Sequence, residues 1–203
     1  DDEKIMDYLK RSRKRLDGLV TMVKELLEIT RMESTTAFMT FENINVTAII
    51  NEVILSLEST INEKLVTVKS DIDTLPAIRA DETAMFQLFT NLISNAVKYN
   101  KDGGNVFISA KKSGDNVCVV VKDTGIGIPE DEVARIWEPF FRVQKVKQTK
   151  ISGTGLGLSI VKKIIENHQG RIDVDSVINE GTTFTLWLPI YNPDPEIESK
   201  TKE

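Results

Sequence analysis

The order of apolar periodicities along the chain narrows the possible folds most. Helical spacing covers about 46–62, 81–99 and 155–168, with Thr47 and Asp81 placed to cap two of these stretches. Strand-like runs fall at 66–72, 105–111, 116–122, 171–176 and 182–188. Several are joined by glycine turns such as Lys101-Asp-Gly-Gly104 and Ser113-Gly-Asp-Asn116. No strand–helix–strand alternation is sustained, which disfavours a doubly wound parallel sheet. The expected class is α+β: a mixed, mostly antiparallel sheet covered by helices on one face.

Residues 1–33 carry a different period. Leu9, Leu16 and Val23 form one seam and Ile5, Leu19 and Leu26 a second, interrupted at Ser12 and widened by Met6, Val20 and Leu27. Such a stripe must pack on something, either the chain's own globular part or another helix of a bundle. The alternating three–four spacing favours the bundle. Residues 34–40 read as a linker, 41–190 as the globular domain and 191–203 as a disordered tail. The chain opens in mid-helix without a Met, so it is read as a portion of a longer protein whose membrane anchorage is open.

Composition removes several function classes. The formal net charge of −5 argues against nucleic acid as the main partner. A lone cysteine, Cys118, inside the apolar run 117–121 permits no internal disulfide and reads as a small buried hydrophobe in a reducing compartment. No apolar run approaches the ~20 residues of a membrane span.

Two glycine clusters stand out, Asp123-Thr-Gly-Ile-Gly-Ile-Pro129 and Gly153-Thr-Gly-Leu-Gly-Leu158. The second opens directly into a helical pattern, where glycines admit close ligand approach and free N–H groups attract phosphate. Its G-x-G-x-G spacing follows a basic loop and is not the dinucleotide fingerprint, and no Gly-Lys-Ser/Thr triplet marks a P-loop. A third element is Asn91-Leu-Ile-Ser-Asn-Ala-Val-Lys-Tyr99, in which Asn91, Asn95, Lys98 and Tyr99 share or adjoin one helix face. An asparagine oxygen there can ligate Mg²⁺, a lysine can touch phosphate and a tyrosine ring can cover a base. Taken alone, the helix could equally carry incidental surface asparagines.

Together with Trp137-Glu-Pro-Phe-Phe-Arg-Val143, these segments closely resemble, in order and sequence, the catalytic domain of the histidine protein kinases of two-component systems. That family sits in a wider superfamily that includes gyrase and mismatch-repair ATPases. Residues 91–99 look like its N box, 123–129 like its first glycine box, 137–143 like its F box and 153–158 like its second glycine box. Residues 1–33 look like the second helix of its dimerisation and phosphotransfer domain.

The resemblance implies an ATP- and Mg²⁺-dependent kinase on the cytoplasmic side of the cell, a homodimer in the full-length protein. Its partners would be a histidine-bearing helix of the parent protein and a response regulator. Asn95 would hold Mg²⁺ with Asn91 lining the same site, Lys98 would touch phosphate, and Tyr99 would lie against the nucleotide. Asp123 would accept a hydrogen bond from the adenine amino group, with Gly125 and Gly127 shaping that floor. Gly153, Thr154, Gly155, Leu156 and Gly157 would cradle phosphates, Arg142 would approach the γ-phosphate, and Thr182 could add a base contact. Residues 128–152 would form a mobile lid, basic at Arg142, Lys145, Lys147 and Lys150.

The chain's single histidine, His168, lies at a helix C-terminus before Gly170, a place for a capping imidazole. The phospho-acceptor is therefore expected on a helix outside this sequence. The rival class is an ATP hydrolase or nucleotide-gated clamp of the same superfamily. Its hydrolases place a glutamate where Asn91 stands, and an amide cannot deprotonate water.

Overall fold

Alternate burial along neighbouring strands explains why the chain builds a one-sided sheet. In β4 (Asn105–Ser113), Val106, Ile108 and Ala110 are buried while Phe107, Ser109 and Lys111 face outward. In β5 (Asn116–Asp123), Val117, Val119 and Val121 turn inward, as do Phe184, Leu186 and Leu188 of β7 (Gly181–Pro189). Period-two geometry puts all these apolar side chains on one face. With β2 (Thr67–Ile72) and β6 (Arg171–Val177) the strands run in the order β2-β4-β5-β7-β6. The β2–β4 pair is parallel, starting at Thr67 opposite Asn105, and the other pairs are antiparallel.

The computed structural model describes residues 39–144 and 153–190, with scattered helical positions between 5 and 27. The linker positions 34–38, the tail 191–203 and the lid lysines Lys145, Lys147 and Lys150 lie outside the described residues.

Three helices cover the apolar face: α1 (Val46–Ser56), α3 (Glu82–Lys98) and α5 (Gly157–Asn167), with short α2 (Glu58–Glu63) after α1. The largest buried stripe belongs to α3, where Met85, Leu88, Phe89, Leu92, Ile93 and Val97 are fully buried. Truncating one of these, such as Leu92→Ala, would cost about 2–5 kcal/mol through lost transfer energy and a residual cavity. Asp81 caps α3 as expected: its Oδ1 accepts the Ala84 N–H at 2.8 Å.

Several sequence expectations are corrected. The stretch 46–62 is two helices, broken at Leu57. Its cap is Asn45, whose Oδ1 accepts the Ala48 N–H at 3.2 Å, whereas Thr47 already lies in the first turn. A second, two-stranded sheet was not foreseen: β1 (Glu42–Ile44) pairs antiparallel with β3 (Ile78–Ala80). Three-residue strands are too short to show a period. Residues 130–133, inside the expected lid, form the short helix α4 (Glu130–Val133).

On the N-terminal helix, Leu9, Leu16, Leu19 and Val23 are exposed, while Met22 packs against the domain's core. No helix among the described residues is long and apolar enough to cross a membrane.

Candidate functional site

The C-terminal half of α3 and the first turn of α5, packed against each other where Gly157 meets Asn91, both border a cavity of about 880 Å³. Asn91, Asn95, Lys98 and Tyr99 come from α3 and its C-cap, where helical spacing stacks them along one edge. Asp123 and Thr182 form the strand-end wall, and Gly127, Arg142, Gly153, Thr154, Gly155 and Gly157 complete the rim. Twelve of the fourteen residues singled out in the sequence thus line one cavity. Gly125 and Leu156 stand behind it: Gly125 lies against the Tyr99 carbonyl, and Leu156 is fully buried at the start of α5. Apolar side chains not anticipated there, Ile126, Ile136, Phe141 and Phe184, supply a greasy slot beside the polar edge. Gly18, Leu19 and Met22 of the N-terminal helix also border the cavity.

The second glycine box has its spacing because alternate glycines pack against two elements, Gly153 and Gly157 against α3 and its C-cap and Gly155 against the F box. A Cβ on Gly153 would lie 2.9 Å from Lys98 Nζ and 3.4 Å from the Tyr99 hydroxyl. On Gly155, whose φ is +81°, it would meet the Phe141 carbonyl at 2.7 Å, and on Gly157 the Asn91 Oδ1 at 2.9 Å. Side chains at these positions would push the box away from the N-box helix and the F box together.

No side chain caps the N-terminus of α5, and its first turn holds no acidic residue. Ile160 N–H is the first to reach a helical carbonyl, that of Leu156 at 3.0 Å, while Leu156 N–H takes Thr154 Oγ1 at 3.2 Å. Orphan donors at such a terminus suit an anion, through both their N–H groups and the helix dipole.

At the opposite end, Asp123 is 7% exposed and its Oδ1 accepts two backbone N–H groups, from Gly125 at 2.7 Å and Thr182 at 3.2 Å. Burial raises its carboxyl pKa, and those two hydrogen bonds offset part of the rise. Burial also raises the Tyr99 phenol, against the opposing pull of nearby Arg142. Lys98 Nζ stands 5.2 Å from the centre of the Tyr99 ring.

One supporting residue escaped the sequence reading. Ser176 Oγ accepts the Ile128 N–H at 2.9 Å, donates to the Gly181 carbonyl at 3.0 Å and lies 2.9 Å from Thr182 Oγ1. It ties the first glycine box to the β6–β7 hairpin. A serine late in a strand gives no local signal of this.

His168 is the C-cap of α5 and only 7% exposed. Its Nδ1 lies 2.8 Å from the Ile164 carbonyl, its Nε2 is 3.1 Å from the Asp81 N–H, and its ring centre is 4.9 Å from that of Phe41. The only tautomer that suits both partners carries the proton on Nδ1, which leaves the Nε2 lone pair occupied by Asp81. Burial lowers the imidazole pKa. This histidine is a structural pin, matching the capping role expected for it.

The donor set suits Mg²⁺ only in combination with a ligand. Among the described residues no group of three His, Cys, Asp or Glu could enclose a metal. Asn91 and Asn95 offer amide oxygens beside the uncapped helix terminus, which fits an ion that keeps its waters and takes phosphate oxygens from its substrate.

Residues 80–192 match the family described as histidine kinase-, DNA gyrase B-, and HSP90-like ATPase. Over 185 residues, 91% of its length, the chain is 36% identical to the sensor-like histidine kinase SenX3 of Mycolicibacterium smegmatis, of which it spans 48%. It resembles full-length ShkA in complex with AMPPNP at a TM-score of 0.77 and 28% identity, over 90% of this chain and 38% of that one. The histidine kinase ThkA in complex with the response regulator TrrA gives a TM-score of 0.75 at 28% identity, over 94% of this chain and 53% of ThkA. A fold, a four-segment cavity and a sequence match over more than half the chain agree: it belongs to the histidine kinase-, DNA gyrase B- and HSP90-like ATPases and carries the ATP-binding catalytic domain of a sensor histidine kinase.

Proposed function

We propose that the chain binds Mg-ATP in this cavity and transfers the γ-phosphoryl group to a histidine on a helix outside this sequence, from which a response regulator is then phosphorylated. The observation that carries the reading is the uncapped α5 terminus standing beside the N-box edge on one cavity.

In this reading adenine enters between the apolar slot and Asp123. Both backbone donors go to Asp123 Oδ1, so Oδ2 remains to accept the adenine amino group. The polyphosphate lies along the N–H groups of Gly157, Leu158 and Ser159, with Lys98 as a point charge and Thr154 beside it. Asn95, with Asn91 beside it, would hold Mg²⁺, which supplies charge neutralisation across phosphate oxygens. Arg142 approaches from the lid, where its charge becomes more valuable as the transferring group develops charge.

Transfer is favoured over hydrolysis by Asn91. An amide orients a ligand but takes no proton at neutral pH, so no side chain at that place activates water. An incoming imidazole needs only placement, and holding two reactants together supplies about 7–11 kcal/mol of the barrier reduction. His168 is unsuited as acceptor, being buried with both ring nitrogens engaged. The exposed apolar positions of the N-terminal helix support its pairing in a bundle of a homodimeric parent, on the cytoplasmic side where ATP is supplied.

The test is transfer in trans. With labelled ATP alone, the chain should acquire no acid-labile, base-stable phosphate. With a separate protein carrying the histidine helix of the same parent, label should appear on that histidine and persist with the His168→Gln variant. Label on the isolated chain that disappears in His168→Gln would overturn the assignment.

A further inference from the structure

Lys64 does not line the cavity, yet it grips the element on which the cavity depends. Its Nζ donates to the carbonyl of Lys98 at 2.6 Å and to that of Asn100 at 3.1 Å. The carbonyl between them, that of Tyr99, accepts the Ile126 N–H at 3.1 Å. Three successive carbonyls at the end of α3 are therefore all engaged, two by one ammonium and one by the first glycine box. Carbonyls of a last helical turn have no helical partner, and a cation there is favoured both by hydrogen bonding and by the helix dipole.

Lys64 is itself held firmly. It is the C-cap of α2, its N–H donates to the Thr60 carbonyl at 3.2 Å and its own carbonyl accepts the Gly103 N–H at 3.2 Å. The next residue, Leu65, turns the chain with a φ of +56°, which sends the backbone on into β2. The ammonium thus reaches the α3 terminus from an anchored base, with little freedom to follow a displaced helix end.

We propose that Lys64 is a positioning residue for the nucleotide, clamping the last turn of α3 so that the side chains of Lys98 and Tyr99 are held at the cavity edge. The inference rests on the ATP reading of that cavity. It differs from a purely stabilising role because its effect is read in ligand affinity. Without the clamp, the Lys98 and Asn100 carbonyls lose their charged donor, and more of the order in the phosphate and base contacts must be supplied at the moment of binding.

The experiment is a calorimetric titration of Mg-ATP into the chain and its variants at a temperature where each is folded by circular dichroism. Lys64→Met keeps the stem and removes the donors, and should raise the ATP Kd about tenfold, the scale of charge-assisted hydrogen bonds. Lys64→Arg, which can still donate to both carbonyls, should return the Kd to within about threefold of the unmodified chain. A Lys64→Met chain that melts earlier but binds ATP within about twofold of the unmodified chain would overturn the proposal. Should Lys64→Met fail to fold, Lys64→Gln is compared with Lys64→Arg, and equal ATP affinity for those two would overturn it. Absence of ATP binding to the unmodified chain would instead sink the functional reading itself.

Discussion

The two long helices that flank the cavity begin in opposite ways. At the N-terminus of α3, Asp81 accepts the Ala84 N–H and Glu82 occupies the first turn, so the protein supplies both a cap for an orphan donor and negative charge for the dipole. At the N-terminus of α5 neither a capping side chain nor an acid is present, and glycine takes the first helical position. Both helices bury apolar stripes against the same sheet, so packing does not explain the contrast. One terminus is capped by the protein and the other is not, and the uncapped one borders the same cavity as the asparagines and lysine proposed to bracket a polyphosphate.

Four substitutions test that contrast between the two helix ends. The largest effect is expected from Gly157→Asp, which places a carboxylate where phosphate is proposed to sit and a Cβ 2.9 Å from Asn91 Oδ1. Repulsion between like charges in a desolvated site should weaken Mg-ATP binding by about a hundredfold or more in a calorimetric titration. Preserved affinity would mean that the uncapped terminus does not hold phosphate.

Asp123→Asn comes next. The amide oxygen can still accept the Gly125 and Thr182 N–H groups, but the second atom becomes a donor facing a donor. ATP affinity should fall roughly tenfold to a hundredfold, and the preference over GTP should shrink because guanine presents an acceptor at that place. An unchanged ATP-to-GTP ratio would remove Asp123 from base recognition.

At the capped terminus, Asp81→Ala should behave in the reverse manner. Losing the cap, and the Thr40 N–H that donates to Oδ2 at 2.9 Å, should cost about 1 kcal/mol of stability in urea unfolding. Its ATP affinity should stay unchanged. A fall in affinity as large as that of Gly157→Asp would dissolve the distinction between the two helix ends.

The smallest effect concerns His168, which receives the Asp81 N–H. Burial holds its folded pKa below the ordinary value near 6.5. Above that value both states are neutral and nothing is lost. As the pH falls through it, the unfolded chain takes up a proton that the folded chain resists, so stability declines. Unfolding measured from about pH 7 down to about pH 5 should show a shallower decline for His168→Gln than for the unmodified chain. Parallel declines would mean that His168 titrates alike in both states.

The comparison also shows what the sequence can convey. The four motif segments were legible because each requires unusual residue types close together: glycines at fixed spacing, amides on an apolar helix, an acid at a strand end. The period-two and helical stretches likewise placed the five-stranded sheet and its covering helices within a few residues. What stayed hidden depends on distance. Ser176 meets Ile128 across 48 residues and Lys64 meets Lys98 across 34, and neither residue has a neighbour in sequence that betrays the contact. The β1–β3 pair rests on two three-residue strands, too short for alternation to reveal either. The cap of α1, Asn45, lies two residues before the expected Thr47, since a hydroxyl and an amide so close together are both able to cap.

If the cavity takes ATP as proposed, phosphate of the nucleotide completes the N-terminus of α5. The most direct measurement is amide hydrogen exchange at Gly157, Leu158 and Ser159 without ligand, with adenosine and with Mg-ATP, using Ala84 at the capped end of α3 as the internal reference. The three α5 amides should be strongly protected with Mg-ATP and little with adenosine, with no change at Ala84. Equal exchange at the α5 amides with and without Mg-ATP, under conditions where calorimetry shows the nucleotide bound, would contradict that placement of phosphate.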